Sequence, residues 1–152
     1  MKFIIDHKDF IEKSKRLNYD AEEFSFDTEP SIKEINFDIV INKLNLSTAD
    51  DNKIVQIWGF CGYKEWQKFN YEPPKYKTGT LKVEDKLKEG FSYRITPDNL
   101  PMFVNVQSGW LCIGNPEKKG NAVEFINNCV AIIDGNKEFV SLWLKPERLP
   151  KI

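Results

Sequence analysis

Between residues 102 and 150 the chain breaks into short apolar runs separated by turn-forming residues, a pattern that admits little but β-sheet. The runs cover 103–106, 110–113, 123–126, 130–133 and 139–144; the breaks are Ser108-Gly109, the stretch 114–121, Asn127-Asn128 and Asp134-Gly135-Asn136-Lys137. Such runs are too short for helices of ordinary length, and Gly, Asn and Asp are the residues that tight reversals demand. The last three runs therefore predict an antiparallel meander, with Phe125, Leu142 and Trp143 facing a core.

The remaining two thirds is less regular. Residues 3–5 suit a strand, and Asp6, with Asp9 three residues on, offers a cap for an N-terminal helix running to Leu17 on Phe10 and Ile11. From 18 to 34 there is no clear period, and Pro30 falls inside it, which predicts a loop. Residues 35–46 alternate Ile35, Phe37, Ile39 and Ile41 against Asn36, Asp38 and Asn42, one strand that pairs across a polar turn with a second at 54–60. A short helix at 63–70 would carry Tyr63, Trp66 and Phe69 at spacings of three until Pro73-Pro74 ends it. Strands are expected at 78–83 and 91–96, around a charged turn at 84–90. With 152 residues, no repeat and no compositional step, the expectation is one α+β domain spanning 1–152: a mainly antiparallel sheet with a C-terminal meander and an N-terminal helix.

No apolar run approaches the roughly 20 residues that span a bilayer. The opening Met1 to Ile5 meets Asp6 at once, too soon for a signal-peptide core. Cys61, Cys112 and Cys129 are odd in number and form no CxxC pair, which suits a reducing, cytosolic compartment better than a disulfide framework.

Catalytic signatures are absent from the sequence. His7 is the single histidine, so a multi-histidine metal site or an imidazole base would have to rely on it alone. Cys61 lies in a glycine-flanked turn, Gly59 to Gly62, and would need a base such as His7 in reach to act as a nucleophile. There is no phosphate-binding loop, no nucleophile elbow and no dinucleotide fingerprint. The expectation is a protein without enzymatic activity, metal or cofactor. Two alternatives are a small enzyme using Cys61 and a carbohydrate- or nucleotide-binding module with exposed aromatics.

Charge is polarised, although the net value is only −1. Residues 18–38 hold seven acids against Lys33 alone, whereas residues 64–94 hold eight bases against five acids. Nucleic acid is disfavoured as a partner, because acids interrupt the lysines and the isoelectric point is about 5.9. The acidic stretch reads instead as an electrostatic docking surface for a basic partner, with Asp20, Glu22, Glu23, Asp27 and Glu29 as the binding residues. The loop 63–76 is the next candidate.

Three segments, Ser108-Gly109-Trp110-Leu111-Cys112-Ile113-Gly114, Ala122-Val123-Glu124-Phe125-Ile126-Asn127-Asn128-Cys129-Val130-Ala131-Ile132-Ile133 and Glu138-Phe139-Val140-Ser141-Leu142-Trp143-Leu144-Lys145-Pro146, resemble the C-terminal half of small bacterial immunity proteins. Those are the cognate inhibitors encoded beside polymorphic toxins, including toxins of contact-dependent growth inhibition. The resemblance covers about a third of the chain and is a strand pattern rather than a catalytic signature. It implies a cytosolic protein that binds a toxin domain, commonly a nuclease with a basic groove, and blocks its active site or substrate surface. It transfers no binding residue by position.

Overall fold

Apolar runs of a few residues, cut repeatedly by Asn, Asp and Gly, leave no stretch in which a 3.6-residue period could persist. The computed structural model describes residues 1–9, 14–32 and 34–152, and among these it contains fifteen strands, a single 3-10 turn at Tyr63–Glu65, and no helix of seven or more residues. The strands are β1 (Phe3–Asp6), β2 (Arg16–Asp20), β3 (Ser25–Glu29), β4 (Asp38–Ile41), β5 (Leu44–Thr48), β6 (Ile54–Phe60), β7 (Gln67–Lys68), β8 (Lys77–Thr78), β9 (Thr80–Val83), β10 (Ser92–Arg94), β11 (Met102–Val104), β12 (Leu111–Gly114), β13 (Asn121–Ile126), β14 (Cys129–Ile133) and β15 (Phe139–Leu144). They build a six-stranded sheet in the order β10-β4-β5-β6-β3-β2, a seven-stranded sheet in the order β7-β11-β12-β15-β14-β13-β8, and a ribbon of β1 with β9. Pairing is antiparallel except where β10 joins β4, β7 joins β11 and β8 joins β13.

One apolar cluster joins the elements. Leu17, Phe26, Ile39, Leu46 and Ile57 come from the six-stranded sheet, Leu111, Ile113, Val123, Phe125 and Leu142 from the seven-stranded one, and Phe3 and Leu81 from the ribbon. A second cluster covers the other face of the seven-stranded sheet, where Cys112, Val130, Ile132 and Trp143 pack with Trp110 under Phe69 and Phe103. Phe69 stacks on both Phe103 and Trp143, with ring centroids 5.1 and 6.1 Å away. Burial on both faces is why β14 reads as the unbroken apolar run Cys-Val-Ala-Ile-Ile, with no polar phase. The strands β13, β14 and β15 pair in succession as a meander, and Phe125, Leu142 and Trp143 are buried.

The α+β expectation is corrected: the described chain is almost all β, and no N-terminal helix is present among the described residues. Asp6, expected as a cap, closes β1, and Leu17, expected at a helix end, alternates with Arg16 and Asn18 in β2. Phe10 and Ile11, which were to supply the helix's apolar stripe, lie outside the described residues. The expected loop at 18–34 is instead a hairpin of β2 with β3 in the register Tyr19↔Phe26 and Leu17↔Thr28. Its period is concealed because Thr28 is buried although polar, and because Phe24 takes a left-handed turn conformation at φ 54°. The single strand expected at 35–46 is two, β4 and β5, reversing at Asn42 with φ 55°. The helix expected at 63–70 shrinks to one 3-10 turn, because Trp66 enters the main core and Phe69 covers the second cluster, and these two faces are not one stripe.

Candidate functional site

The acidic stretch is displayed by the β2–β3 hairpin at one edge of the six-stranded sheet. Asp20 ends β2, Glu22 and Glu23 lie in the turn, and Asp27 and Glu29 occupy alternate positions of β3; all five are exposed. The structure therefore brings the five sequence-predicted binding residues onto one hairpin, but it divides their roles. Asp20 Oδ1 accepts the backbone N–H groups of Glu22 and Glu23 at 2.9 and 3.2 Å and so shapes the turn. Asp27 Oδ1 accepts the Gln56 carboxamide at 3.0 Å, which ties β3 to β6. Glu22, Glu23 and Glu29 carry no such structural bond through their carboxylates among the described residues.

Buried contacts hold the hairpin from beneath. The Tyr19 hydroxyl donates to the Cys61 carbonyl at 2.6 Å, and its ring packs against Phe26 and Trp66 at 4.7 and 5.2 Å. Thr28 Oγ1 receives the Ile57 N–H at 3.1 Å, so a polar residue is satisfied inside the core. Burial holds the Tyr19 phenol well above its ordinary ionisation range.

Beside the hairpin, β6 turns two aromatics outward, Trp58 at 39% and Phe60 at 62% exposure. Trp58 is fixed by its indole N–H, which donates to Ser47 Oγ at 2.8 Å, and Ser47 in turn donates to Asp38. Between them Gly59 sits at φ +126°, where an added Cβ would come within 2.7 Å of the Lys43 carbonyl, so only glycine lets β6 approach β5 here. Trp58, Phe60, Ile35, Gln56, Asp27 and Glu23 line an open groove of about 550 Å³, with Lys43 on the β5 flank. Sequence reasoning missed Trp58, Phe60 and Gln56 as site residues. The available signal was the placing of two large aromatics in the outward phase of β6, where polar residues are ordinary.

The other candidates fall elsewhere. Cys61 is 5% exposed, its thiol lies 3.5 Å from Met102 Sδ, and burial pushes it up to about 12, which keeps it protonated and non-nucleophilic near neutral pH. Burial disfavours the exposed thiolate that the Cys61 enzyme alternative would need. His7 is exposed and donates Nδ1–H to the Thr78 carbonyl at 3.1 Å. Of the loop 63–76, Trp66 is core and Phe69 is half-buried cover, while Tyr71 and Tyr76 remain exposed. Among the described residues no cluster of His, Cys, Asp or Glu converges as a metal site, and no helix is long and apolar enough to cross a membrane.

No protein-family profile matches the chain, and no curated protein matches it.

Proposed function

We propose that this protein is an immunity protein, resident in the cytosol, that binds the basic surface of a cognate toxin domain through the β2–β3 hairpin and the adjoining face of β6. The observation that supports this most is the display of five exposed carboxylates on one hairpin, held from beneath by Tyr19 and flanked by Trp58 and Phe60. Such a face combines an aromatic centre with a charged margin, the division of labour found at protein–protein interfaces: buried aromatics anchor, and rim charges steer the encounter. The resemblance of the C-terminal strand pattern to that of immunity proteins supports a toxin domain as the class of partner. Neutralisation needs no chemistry from this chain, because covering a basic groove or the reacting groups within it excludes the toxin's substrate.

The test is to seek a toxin domain encoded directly before this gene, as the proposal requires, and to co-express the two. The proposal expects growth to be restored and the two proteins to purify as a complex. A toxin that stays active in the presence of folded protein, with no complex formed, contradicts it.

A further inference from the structure

The groove beside the hairpin holds an acceptor with nothing to accept. Gln56 is 3% exposed, and its carboxamide N–H groups are both given inward, to Asp27 Oδ1 at 3.0 Å and to the Thr28 carbonyl at 2.7 Å. Both partners are acceptors, so turning the amide over would set oxygen against oxygen, and the orientation is fixed by its bonds. The remaining atom, Oε1, is buried with no hydrogen-bond partner, a condition that native interiors rarely leave standing. Asp27 Oδ1 already takes the Thr28 N–H as well as Gln56, while Oδ2 takes no bond among the described residues. Two unused acceptor atoms, one of them charged, thus belong to side chains joined by a hydrogen bond.

The surroundings narrow what could fill it. By the β3–β6 register, in which Phe26 stands against Gly59, Asp27 lies beside Trp58 on the outer face, with Gln56 two residues along the same strand. Trp58's own N–H is spent on Ser47, so the indole offers the groove only its π-system. Glu23 adds a second carboxylate to the lining on the β3 side, and Lys43, its one cation among the described residues, stands across β6 on the β5 side.

We infer that this groove receives an arginine side chain presented by a loop of the protein partner, its guanidinium bridging Asp27 Oδ2 and Gln56 Oε1 and stacking on Trp58. A guanidinium suits the site because it is planar, carries several donors in a fixed fork and packs flat on an aromatic face. A lysine ammonium would satisfy the charge but not the fork or the stacking. Oε1 is closed to water in the free chain, so the guanidinium reaches it by displacing the exposed side chains over it, while the Gln56 amide keeps its bonds to Asp27 and Thr28. The inference rests on the protein-binding reading above and names the anchor within it.

The test uses N-acetyl-L-arginine methylamide as the probe, titrated into the full-length protein and followed by NMR. The Trp58 indole N–H and the Gln56 side-chain amide should shift together, and the neutral citrulline analogue should bind about tenfold more weakly or worse, as loss of a charged hydrogen bond implies. Asp27→Asn keeps an acceptor for Gln56 and should abolish the preference for arginine over citrulline while the remaining spectrum stays folded. Trp58→Leu should remove the preference for arginine over the matching lysine derivative. Equal responses to arginine and citrulline, shifts confined to other surfaces, or a response of Trp58 and Gln56 to N-acetylglucosamine in place of arginine would overturn the inference. If arginine fails while reversal of the hairpin charges still slows toxin binding, the groove assignment alone falls. If both fail, the protein-binding reading falls with it.

Discussion

The hydroxyl of Tyr19 donates to the carbonyl of Cys61 across 2.6 Å, joining the edge strand that carries the acidic hairpin to the turn that follows β6. The bond is buried, and it links two places 42 residues apart in the chain. Tyr19→Phe keeps the ring contacts with Phe26 and Trp66 but strands the carbonyl, which should destabilise by about 1–3 kcal/mol. Urea unfolding measures the loss, and amide exchange should quicken first in β2 and β3. A variant as stable and as protected as the parent would mean that packing alone holds the hairpin.

Trp143 is buried within the second cluster, stacked on Phe69, with its indole N–H donated to Ser141 Oγ at 3.1 Å. Trp143→Ala should cost about 3–5 kcal/mol as a large-to-small change in a core. Combined with Phe69→Ala the losses should be less than additive, since each substitution already removes the stacking contact. Chemical denaturation of the two single variants and the double variant checks both statements.

Burial raises the thiols of Cys61 and Cys112 from the ordinary 9.0 to about 12, and that of Cys129 well above 9.0. The folded chain holds these protons more tightly than the unfolded chain. The stability this contributes is complete below pH 9 and is lost as the pH climbs from there towards 12. Thermal melts should therefore show a midpoint that falls on the alkaline side, and a thiol reagent at pH 8 should label the protein only after denaturant is added. Rapid labelling of the native protein at that pH would contradict the buried placement.

The C-terminal strands were legible because β14 and β15 are buried on both faces, so their apolar character is continuous and the turns between them are the only polar breaks. The N-terminal sheet was not, because its inner phase contains Thr28 and Thr48 and its outer phase hides Ser47 and Gln56, buried polar residues that the fold engages in cross-strand bonds a sequence does not display. Asn42 and Phe24 in left-handed conformations make reversals without glycine, which is why two hairpins read as one strand and one loop. The acidic residues of the site stood out through their density. Gln56 and Trp58 did not, since only the strand pairing places them beside Asp27.

The five carboxylates should separate on substitution. Asp20→Ala removes the acceptor that shapes the turn and should lower stability as well as partner binding. Glu22→Lys, Glu23→Lys and Glu29→Lys together should leave the unfolding midpoint nearly unchanged, because exposed charges contribute little to folding. Circular dichroism melts of the two variants make the comparison. A triple variant less stable than Asp20→Ala would show that the division of roles is wrong.

The association rate of the purified protein with the toxin domain proposed as its partner, measured by stopped flow at low and high salt, tests the central claim most directly. Steering by exposed carboxylates predicts a fast association that slows steeply as salt rises and the screening length shrinks towards about 8 Å at physiological ionic strength. The Glu22, Glu23 and Glu29 triple reversal should slow it further and flatten the salt dependence, with the dissociation rate changed much less. A rate indifferent to both salt and the triple reversal would contradict the account and move the interface away from the β2–β3 hairpin.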